Sequence, residues 1–229
     1  MKSAQHPPSF PTLPHPRPST HRMAVDFDPD VWGPLFWDML FTLAFQNAGR
    51  ASAHAPLHRL LQLLDFVIPC SYCRKSYMVF RQGAATLPVA HDDDEWAAKW
   101  LWTAHDYVNQ KAGKACMSYE TLRRRHRTFT HVLHDFVLFD IFVIVHRASP
   151  PSRAARVREF VALALELQCA AAPRSELPEI MGVGGGELAC DRDDQLLATH
   201  AELYRRYGRQ PLTTAEFHHK YGHAVADTA

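Results

Sequence analysis

Two cysteines three residues apart, Cys70 and Cys73 in "FVIPCSYCRKSY", are the first residues able to do covalent chemistry. A C-x-x-C pair serves metal binding or thiol–disulfide exchange, or it is two inert buried thiols. A structural zinc site needs four ligands, normally a second such pair or two histidines at ligand spacing. The chain has five cysteines and fifteen histidines, yet Cys116, Cys169 and Cys190 stand alone and no histidine follows Cys73 at finger spacing. His219 and His223 are four apart, without a neighbouring cysteine or carboxylate motif. Exchange asks for less. Pro69 ends an apolar run, so Cys70 falls at or just before the start of a new helix. Unpaired N–H groups and the helix dipole favour a thiolate there. Cys73 lies one turn on, within disulfide reach, and Arg74 and Lys75 add positive charge. On the pattern alone the metal-held, exchanging and inert readings all stay open.

The elements that must position this pair read as helices. "DFDPDVWGPLFWDMLFTLAFQNAG" opens a first helix that Asp28 or Asp30 can cap and Gly49 can stop. In it Gly33, Trp37, Phe41 and Phe45 recur every four residues and share a face. "PLHRLLQLLDFVI" is a second helix, ended by Pro69, and "SYCRKSYMVFRQG" a third, stopped by Gly83. "DDDEWAAKWLWTAHDYVNQKAG" is a fourth with an acidic first turn, and "MSYETLRRRHR" a short fifth. No stretch alternates at period two, so an all-α chain with almost no sheet is expected. From about residue 128 the texture changes. "TFTHVLHDFVLFDIFVIVHR" and "PSRAARVREFVALALELQCAAA" are two longer helices, "PRSELPEIMGVGGGELACD" is a linker, and "DDQLLATHAELYRRYG" and "TTAEFHHKYGHAV" are two more helices. The division is a Pro- and His-rich disordered segment over 1–25, a helical module over 26–127 and a second over 128–229.

Bulk composition narrows the class. The 229 residues are 47% hydrophobic and 21% charged, as a globular chain is. Twenty-five Lys and Arg against twenty-four Asp and Glu give a net charge of +1, which supplies no basic face for nucleic acid. The N-terminus has no apolar core of a secretory signal. The most apolar run, "HVLHDFVLFDIFVIVH", is broken by His134, Asp135 and Asp140 and falls short of the ~20 residues of a membrane span. It reads as a buried core helix.

Three segments, in order, resemble the Erv/ALR family of FAD-dependent sulfhydryl oxidases. "WGPLFWDMLFTLA" is similar to the family's W-G-P-x-x-W-x-x-L-H-x-x-A helix, "PCSYC" to its P-C-x-x-C redox centre, and "WLWTAHDYVNQKAGK" to its W-x-x-x-x-H-N-x-V-N-x-x-L-G-K helix. The resemblance implies a four-to-five-helix bundle followed by an added helical module. It implies catalytic Cys70 and Cys73, and an FAD held by Gly33, Trp37, Phe41, His105, Val108, Asn109, Lys111 and Lys114. The residue types suit that role. A glycine lets a flat group approach the backbone, an indole offers a stacking face, and two lysines are point-charge donors for a pyrophosphate. Trp100, Trp102 and Tyr107 are further apolar walls, or simply core. The chain departs from the pattern at Phe41, where the family has histidine, at Ile68 and Ala112, and at Asp106, where it has asparagine.

By the same resemblance, a substrate thiolate attacks the more exposed sulfur, that of Cys70, and Cys73 passes two electrons to the flavin and on to O2, giving hydrogen peroxide. Implied partners are thiol-containing proteins, among them a thioredoxin-like or small C-x-x-C carrier, and a second copy in a homodimer. No second C-x-x-C shuttle is present, though Cys169 and Cys190 could pair. Shuttle-free members with an extra helical region resemble oxidases encoded by large DNA viruses. That points to the cytosol or virion, with the mitochondrial intermembrane space as the other compartment of the family. The competing readings are a metal-binding or redox-inactive C-x-x-C scaffold and a flavin-free exchange protein. The second module carries no readable motif. His131, His134 and the "HHKYGH" stretch read as solvated or core histidines.

Overall fold

In a computed structural model, residues 29–83, 87, 93–127, 131–172, 175–181 and 193–221 are described. The expected disordered segment, the glycine run with Cys190, His223, and the side chains of His131 and His134 lie outside them. Every regular element among the described residues is helical. The first half contains α1 (Pro29–Gln46), α2 (His54–Val67), α3 (Ser71–Gly83), α4 (Trp96–Lys111) and α5 (Tyr119–Arg127). The second contains α6 (His131–Ala148), α7 (Ala154–Ala171), α8 (Leu177–Ile180), α9 (Asp193–Arg206) and α10 (Thr214–Tyr221). None of the described helices is long and apolar enough to cross a membrane.

Helix ends follow local chemistry, with two corrections to the sequence reading, at α4 and α8. Asp30 lies inside the first turn of α1, its carboxylate paired with Lys114, and the other expected cap, Asp28, lies outside the described residues. The acidic run before α4 precedes the helix, whose first turn holds no acid; Asp93 Oδ1 accepts from the Glu95 N–H at 2.9 Å. Within the expected linker, α8 is a short helical turn with Leu177 and Met181 fully buried. Pro69 acts as expected. The residue before a proline is pushed out of the helical region, and Ile68, at ψ 120°, ends α2.

The two halves share one apolar core. The α6 run from Ile141 to Val145 is buried throughout and packs on α1, while α7 packs on α2. Phe36 of α1 stacks on Phe160 of α7 at 6.3 Å between ring centroids. Asn47 Nδ2 donates to the Leu167 carbonyl at 3.2 Å. Arg59 of α2 forks onto Glu159 of α7 at 2.6 and 3.0 Å. The added helices therefore brace α1 and α2, leaving α3 and α4 to build the remaining side.

Candidate functional site

The two cysteines are joined. Cys70 and Cys73 form a disulfide with their Cα atoms 5.1 Å apart. Cys70 occupies the position before α3, and its carbonyl accepts the first helical bond, from the Arg74 N–H at 2.9 Å. Its sulfur takes the N–H of Cys73 at 3.1 Å, the place an N-cap side chain normally fills. That N–H and the helix dipole would stabilise charge on Cys70 once the bond is reduced. The exposure order differs from expectation. Cys70 is 4% exposed and packed in the core, whereas Cys73 is only partly buried. The cause is placement: Cys70 sits in the corner where Ile68 and Pro69, both buried, turn α2 into α3. Exposure thus gives no reason to name Cys70 as the sulfur first attacked.

A second cluster lies between α1 and α4. The two helices run antiparallel and are pinned at two points. At one, Trp37 meets the His105 ring at 4.8 Å and Phe41 meets it at 5.7 Å. At the other, Lys114 Nζ binds Asp30 at 2.7 Å. Gly33 and Asn109 fall between the pins. Gly33 is buried, yet a Cβ built on it would meet no atom within 4 Å, so open space lies against that backbone. Asn109 is partly buried and donates to the Ala115 carbonyl at 3.5 Å. Val108 is 36% exposed. Gly113 closes α4 with φ +65°, a left-handed turn that glycine adopts freely.

Electrostatics keep this seam uncharged on its histidine side. Burial holds the His105 imidazole below its ordinary range, with Asp106 opposing and Arg125 and Lys114 reinforcing the shift. Asp106 accepts from Gln110 through Oδ2 at 3.1 Å, while its Oδ1 is buried with no hydrogen-bond partner. An orphaned acceptor is costly unless a donor arrives.

The structure brings Gly33, Trp37, His105, Asn109 and Lys114 onto one seam and separates others from it. Phe41 is fully buried beneath, touching Trp37, His105 and His126, and supports the seam from within. Lys111 points to α3, over the Tyr107 ring and 3.4 Å from Ser76 Oγ. Trp100 and Tyr107 also belong to the α3–α4 contact, through Tyr77 and Phe80. Trp102 is on another side, donating to the Met117 carbonyl at 2.7 Å and packing on Tyr119. α4 is therefore the common wall, meeting the α1 seam through His105 and the cysteine helix through Trp100, Tyr107 and Lys111.

His126 was not among the residues expected here. It is buried on α5, 5.3 Å from the Phe41 ring, with Nδ1 3.4 Å from Thr42 Oγ1 and Nε2 3.5 Å from Asp38. Burial, with Arg125 and His105 adding to it, pulls its imidazole down to about 4. Burial likewise pushes Asp38 up, against the Arg125 guanidinium. Nothing in its sequence surroundings marks it, since its partners lie on α1. Elsewhere, Cys116 and Cys169 are free and exposed, and His218 and His219 are exposed. Among the described residues no three His, Cys, Asp or Glu side chains gather as a metal site.

The residues fit FAD. A planar group needs an aromatic neighbour, backbone it can approach and polar partners, and the seam supplies the Trp37 ring, the space at Gly33 and the Asn109 amide. Comparison with curated proteins and with solved structures gives no match. Residues 34–127, which hold most of α1 through α5, the disulfide and the seam apart from Asp30 and Gly33, match the model of the Erv1 / Alr family.

Proposed function

We propose that the chain is an FAD-linked thiol oxidase that makes disulfides in protein substrates. The observation that carries this is the Cys70–Cys73 disulfide capping α3, inside the stretch that matches a sulfhydryl oxidase family. A substrate dithiol gives up two electrons and two protons. Its first thiolate attacks one sulfur of the disulfide and forms a mixed disulfide, freeing the other cysteine as a thiolate. The second substrate thiolate displaces the enzyme sulfur, the substrate leaves as a disulfide, and Cys70 and Cys73 remain as a dithiol. The N–H of Cys73 holds the charge on Cys70. A bound FAD would supply the acceptor for the two electrons of this dithiol and their onward transfer to O2 as hydrogen peroxide.

This chain's residues do the positioning. Trp37 supplies a stacking face, Gly33 the clearance, Asn109 an amide, and Lys114 a cation at the far end of the seam. His105 stays neutral and is able to donate or accept. Phe41, Val108 and Lys111 complete the set: Phe41 from beneath, Val108 at the rim, Lys111 by tying α4 to α3. The proposal extends to the shuttle-free type found in large DNA viruses, working in the cytosol or virion as a homodimer on a thioredoxin-like or small C-x-x-C carrier.

The test is direct. The purified chain should be yellow and consume oxygen with dithiothreitol, releasing peroxide. Cys73→Ser should abolish turnover and keep the flavin. A colourless protein, or turnover that survives Cys73→Ser, overturns the assignment.

A further inference from the structure

Lys111 sits on a face of α4 that is otherwise apolar. Trp100, Ala104, Tyr107 and Lys111 recur at helical spacing, and the first three are buried. Opposite them α3 presents Cys73, Ser76, Tyr77 and Phe80, again along one stripe. Tyr77 and Phe80 meet Trp100 at 5.9 and 5.5 Å between ring centroids, and Phe80 meets Tyr107 at 5.3 Å. Cys73 is partly buried and packs against the same core. Lys111 therefore enters the interface that holds one sulfur of the disulfide. Its Nζ lies 3.4 Å from Ser76 Oγ and 4.9 Å from the centre of the Tyr107 ring. Ser76 follows Cys73 by three residues, which puts their Cβ atoms about 5–6 Å apart.

The ammonium has no anion there. Ser76 and the Tyr107 ring are its contacts among the described residues, and no described carboxylate reaches it. The other charged groups around Cys73 come from three elements. On α3, Arg74 donates to the Ile68 carbonyl and Lys75 is exposed. From α2, Asp65 pairs with Arg81, two turns beyond Cys73. From the turn before α7, Arg153 donates to the Phe66 carbonyl at 3.1 Å. Burial and the Asp65 charge push the Tyr77 phenol well above its ordinary range, and its hydroxyl donates to the Leu61 carbonyl at 2.7 Å, so it stays neutral. A half-buried ammonium held by a hydroxyl and a ring face gives up hydration without an ion pair. Its field counts most when a negative charge appears near it, and the reduced disulfide supplies one.

We infer that Lys111 is a positioning residue for the redox centre: its ammonium, aimed by Ser76 and Tyr107, stabilises Cys73 as a thiolate. The inference rests on the oxidase reading, in which this bond opens and closes. Opening takes two electrons from a substrate dithiol and, with one proton, leaves one thiol and one thiolate. Charge on Cys70 is held by the Cys73 N–H, and charge on Cys73 by Lys111. The two sulfurs are served separately, so either can leave in an exchange step.

The test reads the thiol directly. In the reduced, full-length Cys70→Ser protein, alkylation of Cys73 by iodoacetamide is followed against pH, with the Cys73 peptide quantified by mass spectrometry. Lys111→Met should move the midpoint up by roughly half to one pH unit and slow the reaction at pH 7 by roughly fivefold, as one partly screened charge a helical turn away would. Lys111→Arg should keep the original profile. Ser76→Ala, which leaves the charge without its anchor, should fall between. With both cysteines present, Lys111→Met should shift the equilibrium with glutathione toward the disulfide by the same factor of roughly five. A general packing defect lowers the thermal midpoint without moving these profiles, and Lys111→Gln repeats the test with a polar side chain. A profile unmoved by Lys111→Met or by Lys111→Gln, or moved equally by Lys111→Arg, overturns the inference. The oxidase reading fails on a different measurement: no bound flavin and no oxygen uptake with dithiothreitol in the unsubstituted chain. A Lys111-dependent profile in such a protein would sustain the charge effect and confine it to thiol–disulfide exchange.

Discussion

Gly33 leaves open space where any other residue would place a side chain. It is buried, yet the space its Cβ would enter holds no atom within 4 Å. In a helix, alanine is favoured over glycine by about 0.5–1 kcal/mol. Gly33→Ala should therefore leave the flavin-free protein as stable as before or slightly more so. If the gap belongs to the cofactor, the methyl group intrudes on it, and the variant should purify with less flavin per chain. Thermal midpoints of the flavin-free forms and the flavin-to-protein absorbance ratio check the two halves. Undiminished flavin content would mean that the gap serves something else. At this scale Trp37, His105 and Gly33 were legible because helical spacing and a known pattern both marked them. His126 was not: it contacts Thr42 across 84 positions of chain, and no local pattern encodes that meeting.

At the scale of elements, Asp135 orders the second half. It is fully buried on α6 and gathers donors from three other places. Gln168 Nε2 of α7 reaches its Oδ1 at 3.2 Å, with Ser175 Oγ at the same atom. The Glu176 and Leu177 N–H groups reach Oδ2 at 3.0 and 3.3 Å, and the Tyr207 hydroxyl reaches it at 2.6 Å. The N–H groups at the start of α8 are thus capped by a side chain 42 residues away. That is why the expected linker hid a helical turn: its cap is tertiary, and a four-residue helix has no period to read. Where a boundary is set locally, as by Pro69, the sequence sufficed. Asp135→Ala would leave two backbone N–H groups, the Gln168 amide and two hydroxyls without their acceptor. Each unsatisfied buried group costs about 1–3 kcal/mol, partly recovered by water, so a loss of about 3–5 kcal/mol is expected. Asp135→Asn, which keeps one acceptor oxygen, should fall between. Urea midpoints of the three proteins measure this, and a change below about 1 kcal/mol would show that the network relaxes without cost.

At the scale of the whole molecule, the shared core predicts how the chain responds to acid. All five tryptophans, at 32, 37, 96, 100 and 102, lie in the first half, so indole fluorescence reports that half while far-ultraviolet dichroism reports every helix. Each half buries a histidine. Burial, followed by the charges of Arg125 and His105, holds His126 at about 4. Burial and Lys220, against Asp140, hold His200 at about 4, its ring set among Phe139, Tyr204 and Phe217. In the unfolded chain both titrate near ~6.5. Above that pH both states carry neutral imidazoles and the contribution to stability is fully present. As the pH falls below ~6.5 the unfolded chain takes up protons that the folded chain refuses, and the slope reaches about 1.4 kcal/mol per pH unit for each group. The loss should run from pH ~6.5 down to about 4, where the folded-state imidazoles also charge. Because Phe36–Phe160, Asn47–Leu167 and Arg59–Glu159 lock the halves together, acid should unfold them in one transition. Fluorescence and dichroism midpoints should then coincide, and His126→Phe and His200→Phe should each shift both probes to lower pH by the same amount. Midpoints that separate, with each substitution moving only its own half, would show two independently folding bodies and would break the link between the added helices and the site they brace.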